Sequence, residues 1–196
     1  MIIESNGPTR AKDYFVRHEL GTDRITVEEA QQQPKAPLYG ILDNLRSAHN
    51  VGSIFRTSDG ANISELALCG YTPTPPHRHL SKTAFGSVEV VRWRHFETTE
   101  EAIADYKARG IFVAAVELSE SSSPLWEAEL NFPLALVMGN EVDGLSAETQ
   151  ALCDATWHLP MGGHKNSLNV SVAWGIALYD VLRRFKGRKL EIVGSD

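Results

Sequence analysis

The sequence predicts an α/β domain in which a mostly parallel sheet is flanked by helices. From Leu38 onwards, short apolar segments alternate with segments of helical spacing, which is the order that βαβ units produce. Two apolar segments, residues 111–116 and 134–138, are continuous, as in strands that are buried on both faces. A last segment, residues 168–185, carries apolar residues at helical spacing and predicts a long closing helix.

Local capping and turn signals set the bounds of the remaining elements. Thr98 and Glu101 have the spacing of a capping box, and Gly110 can end the same helix, which predicts a helix over residues 98–108. The other predicted strands cover residues 38–42, 66–70, 88–93 and 156–159. The other predicted helices cover residues 51–61 and 146–153, and a proline-rich loop is predicted over residues 71–76.

The N-terminal region differs in composition from the rest of the chain. Residues 1–36 are polar and end in a segment rich in glutamine and proline. Within this region, Thr26 and Glu29 predict the cap of a short helix. We expect an N-terminal arm over residues 1–36, one domain over residues 37–189 and a tail over residues 190–196.

The composition is that of a folded protein, since 42% of the 196 residues are hydrophobic and 22% are charged. No apolar segment approaches the ~20 residues that span a membrane, and the first residues lack the pattern of a secretory signal. We therefore expect a cytoplasmic protein without a membrane partner. Cys69 and Cys153 stand beside apolar residues, which predicts reduced, partly buried thiols. The sequence contains no Cys-x-x-Cys and no His-x-x-x-His spacing, so it does not predict a metal site.

The charges give two opposing indications about a nucleic-acid partner. The formal net charge of −6 argues against one, because the phosphate backbone attracts Lys and Arg. Basic residues nevertheless cluster in two places, and each cluster could contact nucleic acid or form a solvated face. The first contains His77, Arg78, His79, Lys82, Arg92, Arg94 and His95, and the second contains Arg183, Arg184, Lys186, Arg188 and Lys189.

The first of three segments that combine glycine with polar groups covers residues 49–57. Asn50 is predicted as the N-cap of a helix, and Gly52 would leave the first turn open to a ligand. Arg56 follows about one and a half turns later, where a fixed guanidinium suits a phosphate or a developing oxyanion. An ordinary cap followed by a surface arginine is the alternative interpretation.

The second segment covers residues 137–146, where a buried strand ends in Gly139. Two carboxylates, Glu141 and Asp143, follow before a helix that Ser146 can cap. Glycine at this position would let the backbone approach a planar ligand closely. The alternative is a strand-to-helix turn with exposed acidic residues.

The third segment covers residues 159–173 and carries the strongest of the three signals. Ser167, Asn169 and Ser171 are small polar residues at the start of an otherwise apolar helix. A cap needs only one of them, so the excess indicates a polar ligand at the helix N-terminus. Gly162 and Gly163 form a flexible lead-in.

Several common motifs are absent from the sequence. There is no Gly-x-x-x-x-Gly-Lys-Ser/Thr loop, no Gly-x-Gly-x-x-Gly after a strand and no Gly-x-Ser-x-Gly elbow. The sequence therefore disfavours ATP hydrolysis, Rossmann-type dinucleotide binding and α/β-hydrolase chemistry.

Taken together, the three segments resemble the three motifs of the SpoU/TrmH family of RNA ribose 2′-O-methyltransferases, in the SPOUT superfamily. The resemblance covers residues 38–186, with the motifs in the family's order and at suitable separations. The matching residues are Asn50, Val51, Gly52, Arg56 and Thr57, then Gly139, Asn140, Glu141, Gly144 and Leu145, then Pro160, Met161 and residues 167–171.

The resemblance implies a fold and a cofactor. The family threads its C-terminal segment into a deep trefoil knot, a rare exception among proteins, which here would involve residues 137–144 and 159–172. It also implies a pocket at the knot for S-adenosylmethionine, held largely by backbone groups. The residues implied to contact the cofactor are Gly139, Leu159, Met161, Ser167 and Leu168, with Val116 and Glu117 at a neighbouring strand end.

The resemblance also implies catalytic residues, namely Arg56, Asn50, Glu141, Ser167 and Asn169. Because arginine is effectively always protonated, we expect Arg56 to stabilise the adjacent phosphate and the forming alkoxide rather than to act as a base. Asn50 and Asn169 would orient Arg56 and the ribose. Glu141 would brace its loop or pair with Arg56. No metal is required.

A homodimer is implied as well, with Arg56 of one subunit facing the cofactor of the other. The closing helix supports this expectation, because its apolar face is broader than one side of a sheet needs. The residues of that face are Val172, Trp174, Ile176, Tyr179 and Leu182.

The expected substrate is a structured RNA, contacted by Arg56, Arg78, Lys82 and Arg92. A tRNA is favoured over ribosomal RNA, because 36 residues cannot hold the RNA-binding domain that many relatives carry before the catalytic domain. The acidic net charge, Asn166 and Gly175 are further departures from the family's usual pattern. Two alternatives stay open: a base methyltransferase of the same superfamily, and a non-catalytic RNA-binding protein on the same scaffold.

Overall fold

The computed structural model describes residues 25–193, with side chains through residue 187, so most of the expected arm and the end of the tail lie outside the described residues. It contains a seven-stranded sheet flanked by helices, which confirms the predicted α/β class. The strands are β1 (Ala36–Asp43), β2 (Ile63–Cys69), β3 (Trp93–Phe96), β4 (Phe112–Val116), β5 (Ser123–Pro124), β6 (Leu134–Met138) and β7 (Ala155–His158). The described helices are α1 (Val27–Gln32), α2 (Ala48–Ala61), α3 (Arg78–Ala84), α4 (Ser87–Val90), α5 (Thr99–Ala108), α6 (Ala147–Leu152) and α7 (Val170–Val193).

The strand order is β3-β2-β1-β6-β4-β7-β5, and each neighbouring pair is parallel. β6 lies at the centre with all five residues buried, as its continuous apolar sequence predicts. The carboxyl ends of β4, β6 and β7 therefore meet at one edge of the sheet, where open α/β sheets bind ligands. The trefoil knot stays a prediction from the resemblance.

Alternation along the strands divides the core into two layers. Leu134, Leu136 and Met138 of β6 face the layer that contains α2, α3 and α7, whereas Ala135 and Val137 face the layer that contains α5. Helices on both faces bury the sheet completely at its centre. No helix among the described residues has the length and apolar character needed to cross a membrane.

Two thiols lie in this core or beside it. Cys69 is buried and Cys153 is partly buried, and both are free, as their apolar neighbours predict. Burial raises the pKa of each thiol to about 12, so both stay protonated near neutral pH and are poor nucleophiles.

Three predicted caps are confirmed and one is wrong. Thr26 forms the predicted capping box with Glu29, Thr98 caps α5 by accepting from the Glu101 backbone N–H, and Ser146 caps α6. Asn50, however, is not the N-cap of α2, because the helix begins three residues earlier than predicted and Ser47 accepts a hydrogen bond from the Asn50 backbone N–H. The earlier cap leaves the Asn50 side chain free for other contacts.

The strand predicted over residues 88–93 is also wrong. The short helix α4 occupies Ser87–Val90, and β3 begins only at Trp93. Val88 and Val91, three residues apart, both pack against the core, which is the spacing of a helical face. The valine-rich pattern therefore indicated a strand where i, i+3 packing favours a helical turn.

The broad apolar face predicted on α7 divides into two. Trp174 and Leu182 are buried in the chain's own core, and the Trp174 indole N–H donates to the hydroxyl of Ser58 on α2. Their assignment to a subunit interface is therefore wrong. Val172, Ile176 and Tyr179 stay 50%, 39% and 45% exposed and form a narrower apolar stripe at i, i+4 and i+7.

Gly52 has a packing role rather than the predicted opening toward a ligand. A Cβ at this position would lie 2.1 Å from Thr83 Oγ1 and 2.4 Å from the Leu80 carbonyl oxygen, so the glycine lets α2 and α3 approach closely. Gly187, in contrast, has no neighbouring atom within 4 Å of the equivalent position.

Gly52→Ala should destabilise the protein by about 1–3 kcal/mol, because the backbone of α3 has to move away. Gly187→Ala is the matched control and should stabilise α7 by up to about 1 kcal/mol, since alanine favours a helix. Urea unfolding of both variants measures the difference. A Gly52→Ala variant as stable as the parent would contradict the close approach.

Candidate active site

A cavity of about 780 Å³ opens at the carboxyl ends of β4, β6 and β7. The structure brings together at this cavity every residue that the resemblance implied for the cofactor. They are Val116, Glu117, Gly139, Leu159, Met161, Ser167 and Leu168. Glu141 and Asn169, two of the implied catalytic residues, line it as well.

One wall of the cavity is the loop that follows β6. Asn140 Oδ1 accepts hydrogen bonds from the backbone N–H groups of Val142 and Asp143, each at 2.8 Å. Glu117 Oε2 accepts from the Leu145 N–H at 2.9 Å and so ties the end of the loop to the end of β4. These bonds hold the loop against the strand ends with little conformational freedom.

Gly139 allows this loop to fold back. A Cβ at Gly139 would lie 2.4 Å from the carbonyl carbon of Gly144 and 2.6 Å from the Leu145 nitrogen. Gly139 therefore permits a close approach, as the sequence predicted, but the group that approaches it is the backbone of Gly144 and Leu145 rather than a ligand. Any larger residue at 139 has to displace the cavity wall.

The opposite wall is the segment between β7 and α7. Residues 161–169 are exposed, and residues 159–168 make no hydrogen bond with another described residue. Backbone N–H and C=O groups in this segment are thus free to bind a polar ligand. Met161 and Leu168, 37% and 39% exposed, add apolar surface to the same wall.

A chain of hydrogen bonds connects the three sequence segments. Asn50 Nδ2 donates to Glu141 Oε1 at 2.8 Å, and Asn169 Nδ2 donates to Asn50 Oδ1 at 3.2 Å. Asn169 Oδ1 accepts in turn from the backbone and the hydroxyl of Ser171 at the start of α7. Both amide groups are thereby fixed in orientation at the rim of the cavity.

Glu141 braces the start of α2, one of the two roles expected of it. Its carboxylate accepts from the backbone N–H groups of Arg46 and Ser47 as well as from Asn50. Partial burial works to raise the pKa of Glu141, but these hydrogen bonds outweigh it and hold the pKa below its ordinary value.

This lowered pKa predicts a specific dependence of stability on pH. The contribution of Glu141 is fully present above the ordinary glutamate pKa of about 4.3, and it is lost as the pH falls through the lower value of the folded state. Glu141→Gln should therefore unfold at lower temperature than the parent near neutral pH, with the difference shrinking in acid. Thermal unfolding at several pH values measures this, with Glu127→Gln, an exposed site, as the control. A difference that stays constant with pH would contradict the assignment.

Arg56 lies apart from these residues. Its guanidinium sits over the ring of Phe85, 4.7 Å from the centroid, and it does not line the cavity. Phe85 is 75% exposed and adopts a left-handed conformation with φ of 52° at the end of α3. Glu141 accepts hydrogen bonds from Asn50 and from backbone N–H groups, whereas Arg56 contacts Phe85. The other role expected of Glu141, a pairing with Arg56, is therefore not observed.

The basic residues predicted to contact RNA are accessible. Arg78 and Lys82 are exposed on α3, and Arg92 is exposed just before β3. Arg94 in the same cluster differs, because it forms ion pairs with Glu65 and Asp105 at 3.1 and 2.5 Å. Those hydrogen bonds hold the pKa of Arg94 well above its ordinary value and make it structural rather than free for RNA.

Sequence reasoning missed several residues at the site. His158 and Lys165 line the cavity, and Phe85 contacts Arg56, yet none was a candidate. The position of His158 in the predicted strand 156–159, immediately before the implied cofactor contact Leu159, was the signal that could have identified it. Nothing local pointed to Phe85, because its contact depends on how α3 packs against α2.

Comparisons with known proteins agree with the geometry. The chain is 32% identical over 158 residues to the 23S rRNA (guanosine-2′-O-)-methyltransferase RlmB of Vibrio parahaemolyticus, covering 81% of this chain and 64% of that protein. It superimposes on the crystal structure of the A. aeolicus TrmH/SpoU tRNA modifying enzyme with a TM-score of 0.74 and 29% identity, covering 83% and 82% of the two chains. For the AdoMet-bound rRNA methyltransferase of Sinorhizobium meliloti, the TM-score is 0.71 at 30% identity, covering 83% and 61%.

The chain thus spans a little under two thirds of the length of the Vibrio relative. The sequence model of the SpoU rRNA methylase family matches residues 37–179, which is most of the described domain and includes all three segments. On this match, and on the fold that the chain shares with these solved structures, the chain belongs to the SpoU rRNA methylase family.

Proposed function

We propose that this protein transfers a methyl group from S-adenosylmethionine to a ribose 2′-hydroxyl of a structured RNA. The observation that carries the proposal is that residues of the second and third segments line one cavity, while Asn50 of the first segment is hydrogen-bonded to Glu141 and Asn169 in that lining. Seven implied cofactor contacts line that cavity, and the hydrogen-bond chain from Glu141 through Asn50 to Asn169 lies at its rim.

The cavity suits the chemistry of the cofactor. S-adenosylmethionine is cationic at its sulfonium, and the lining carries three carboxylates, Glu117, Glu141 and Asp143, against one ammonium, Lys165. The free backbone groups of residues 159–168 suit hydrogen bonding to a nucleoside, and the apolar side chains of Leu159 and Leu168 suit a purine ring. When bound, the cofactor supplies an electrophilic methyl group.

The protein's own residues have to position the ribose and stabilise the developing charge. Asn50 and Asn169, fixed by their mutual hydrogen bond, orient the ribose at the rim. Arg56 is always protonated, so it stabilises the forming alkoxide and holds the neighbouring phosphate, while the hydroxyl proton leaves to a phosphate oxygen or to water.

Completion of the site requires a second copy of the chain. Arg56 does not line the cavity of its own subunit. The exposed stripe of Val172, Ile176 and Tyr179 offers apolar surface to a partner, although this stripe is narrower than the sequence suggested. A homodimer that joins on this stripe would bring Arg56 to the partner's cavity.

The RNA is proposed to be a tRNA in preference to ribosomal RNA, and the protein to act in the cytoplasm. In support, the structural superposition covers 82% of the A. aeolicus tRNA modifying enzyme and 61% of the S. meliloti rRNA methyltransferase. Mapping of 2′-O-methyl sites in total RNA, from cells with and without the gene, identifies the substrate. A site lost from ribosomal RNA alone would reverse the preference.

Calorimetry with S-adenosylmethionine tests the cofactor assignment separately. The protein should bind the cofactor without any RNA present, because the cavity lies within one chain. A folded protein that binds none would instead fit a non-catalytic RNA-binding role.

Charge reversal at Arg78 and Lys82 should weaken RNA binding and flatten its dependence on salt, because each lost phosphate contact lowers the slope of log K against log salt by about 0.9. Filter binding at several salt concentrations measures both quantities. Lys107→Glu on α5 is the control, and it should leave RNA affinity unchanged. If the Arg78 and Lys82 reversals bind like the parent, these residues belong to a solvated face.

A further inference from the structure

His158 makes one side-chain hydrogen bond that determines which of its ring nitrogens carries the proton. Its Nδ1 lies 2.9 Å from the hydroxyl of Ser122, which stands just before β5, and β5 pairs with β7 beside His158. Ser122 Oγ has two further partners. It lies 2.7 Å from the Ser119 carbonyl oxygen and accepts from the Ser119 N–H at 3.0 Å.

A count of protons fixes the direction of each bond. Two oxygen atoms 2.7 Å apart repel unless a proton lies between them, so the single proton of the Ser122 hydroxyl points to the Ser119 carbonyl. The two lone pairs of Ser122 Oγ then accept from the Ser119 N–H and from His158. His158 therefore donates from Nδ1–H, and in this tautomer the ring lone pair is on Nε2.

This lone pair is available to a ligand. Nε2 of His158 makes no hydrogen bond with any described residue and is not among the buried polar atoms that lack a partner. His158 lines the cavity, as do Leu118 and Leu159. A neutral Nε2 acts as a hydrogen-bond acceptor, and a neighbouring nucleoside offers amino and hydroxyl donors to it.

We propose that His158, held in its Nδ1–H form by Ser122, accepts a hydrogen bond through Nε2 from a donor group on the adenosine part of the bound cofactor. The inference rests on the proposed function, because it names a contact within the same cavity. It adds a binding residue that lies outside the three sequence motifs. It also gives the serine-containing turn before β5 a role in setting the polarity of the cavity.

The proton position can be measured without any ligand. Long-range ¹⁵N–¹H correlation spectra distinguish the two neutral forms of histidine, and His158→Gln identifies the signals that belong to His158. The parent should show the Nδ1–H form, and Ser122→Ala should shift the population toward the Nε2–H form. An Nε2–H form in the parent would overturn the inference.

The ligand contact can be measured with S-adenosylhomocysteine and three of its analogues. One analogue lacks the 6-amino group, the second lacks the 2′-hydroxyl and the third lacks the 3′-hydroxyl. His158→Phe should weaken the binding of S-adenosylhomocysteine by about 3- to 10-fold, as expected for the loss of one hydrogen bond. One analogue should bind to the parent and to the His158→Phe variant with equal affinity, and the group that this analogue lacks is the donor. His158→Gln can place an acceptor near the same point and should restore part of the affinity.

His164→Phe is the matched control, since His164 is exposed in the neighbouring segment and does not line the cavity. It should bind all four ligands like the parent. Two results would overturn the proposed His158 contact but not the proposed function. In the first, a folded His158→Phe variant binds S-adenosylhomocysteine as tightly as the parent. In the second, the variant loses the same factor in affinity for every analogue. A parent that binds no S-adenosylhomocysteine would overturn the proposed function as well, so the two failures are distinguishable.

Discussion

Replacing Arg56 with alanine should reduce methyl transfer by about 10²- to 10³-fold and leave S-adenosylmethionine affinity unchanged. The expected loss is that of one charged donor aimed at a developing oxyanion. Affinity should survive because Arg56 lies over Phe85 and does not line the cavity of its own chain. Single-turnover transfer rates and calorimetry measure the two effects. Arg56→Lys keeps the charge but loses the planar group, and it should recover only part of the rate.

The same variant tests whether the site is shared between subunits. Arg56→Ala subunits mixed with Gly139→Val subunits form some dimers with one composite site in which both residues are intact. Such dimers should recover activity that neither homodimer has. If Arg56 served the cavity of its own subunit, each site would keep one defect and mixing would restore nothing. Failure to recover, with subunit exchange verified, would refute the shared site while leaving the methyltransferase assignment open.

Gly139→Val should weaken S-adenosylmethionine binding by about 100-fold, the largest effect expected on the cofactor. A Cβ at this position meets backbone atoms of Gly144 and Leu145 at 2.4 to 2.6 Å, so the cavity wall has to move. The fold itself should persist, because the pairing of β6 with β1 and β4 ends at Met138.

Gly162→Ala provides the matched control for this change. It adds a Cβ in the segment between β7 and α7, at a residue that does not line the cavity and where no atom lies within 4 Å. Binding should be retained there. A folded Gly139→Val variant with the parent's affinity would show that the loop after β6 does not shape the cofactor site.

Local signals in the sequence identified the three segments of the site, and the family resemblance implied which of their residues contact the cofactor. A continuous apolar strand that ends in Gly139, and an excess of polar residues before a closing helix, are readable from neighbouring residues alone. Parallel strands place such ends at one edge of the sheet, which is why Gly139, Leu159 and Ser167 meet at the cavity.

Features that depend on tertiary packing could not be predicted in this way. The bond from Asn50 to Glu141 joins residues 91 positions apart. The packing role of Gly52 appears only when α3 lies against α2. The division of the α7 face follows from the burial of Trp174 against Gly40, where a Cβ would lie 2.7 Å from the indole. Helical spacing identifies an apolar face, but it does not say which part a neighbouring element covers.

The most direct test of the proposed activity uses S-adenosylmethionine that carries an isotope-labelled methyl group. The protein is incubated with total RNA from cells that lack the gene, and the RNA is then digested to nucleosides and analysed by mass spectrometry. The account predicts that the label appears on the ribose of a 2′-O-methylnucleoside and that Arg56→Ala abolishes most of it. Label on a base would contradict ribose specificity, and a cofactor-binding protein that labels no nucleoside would contradict the activity itself.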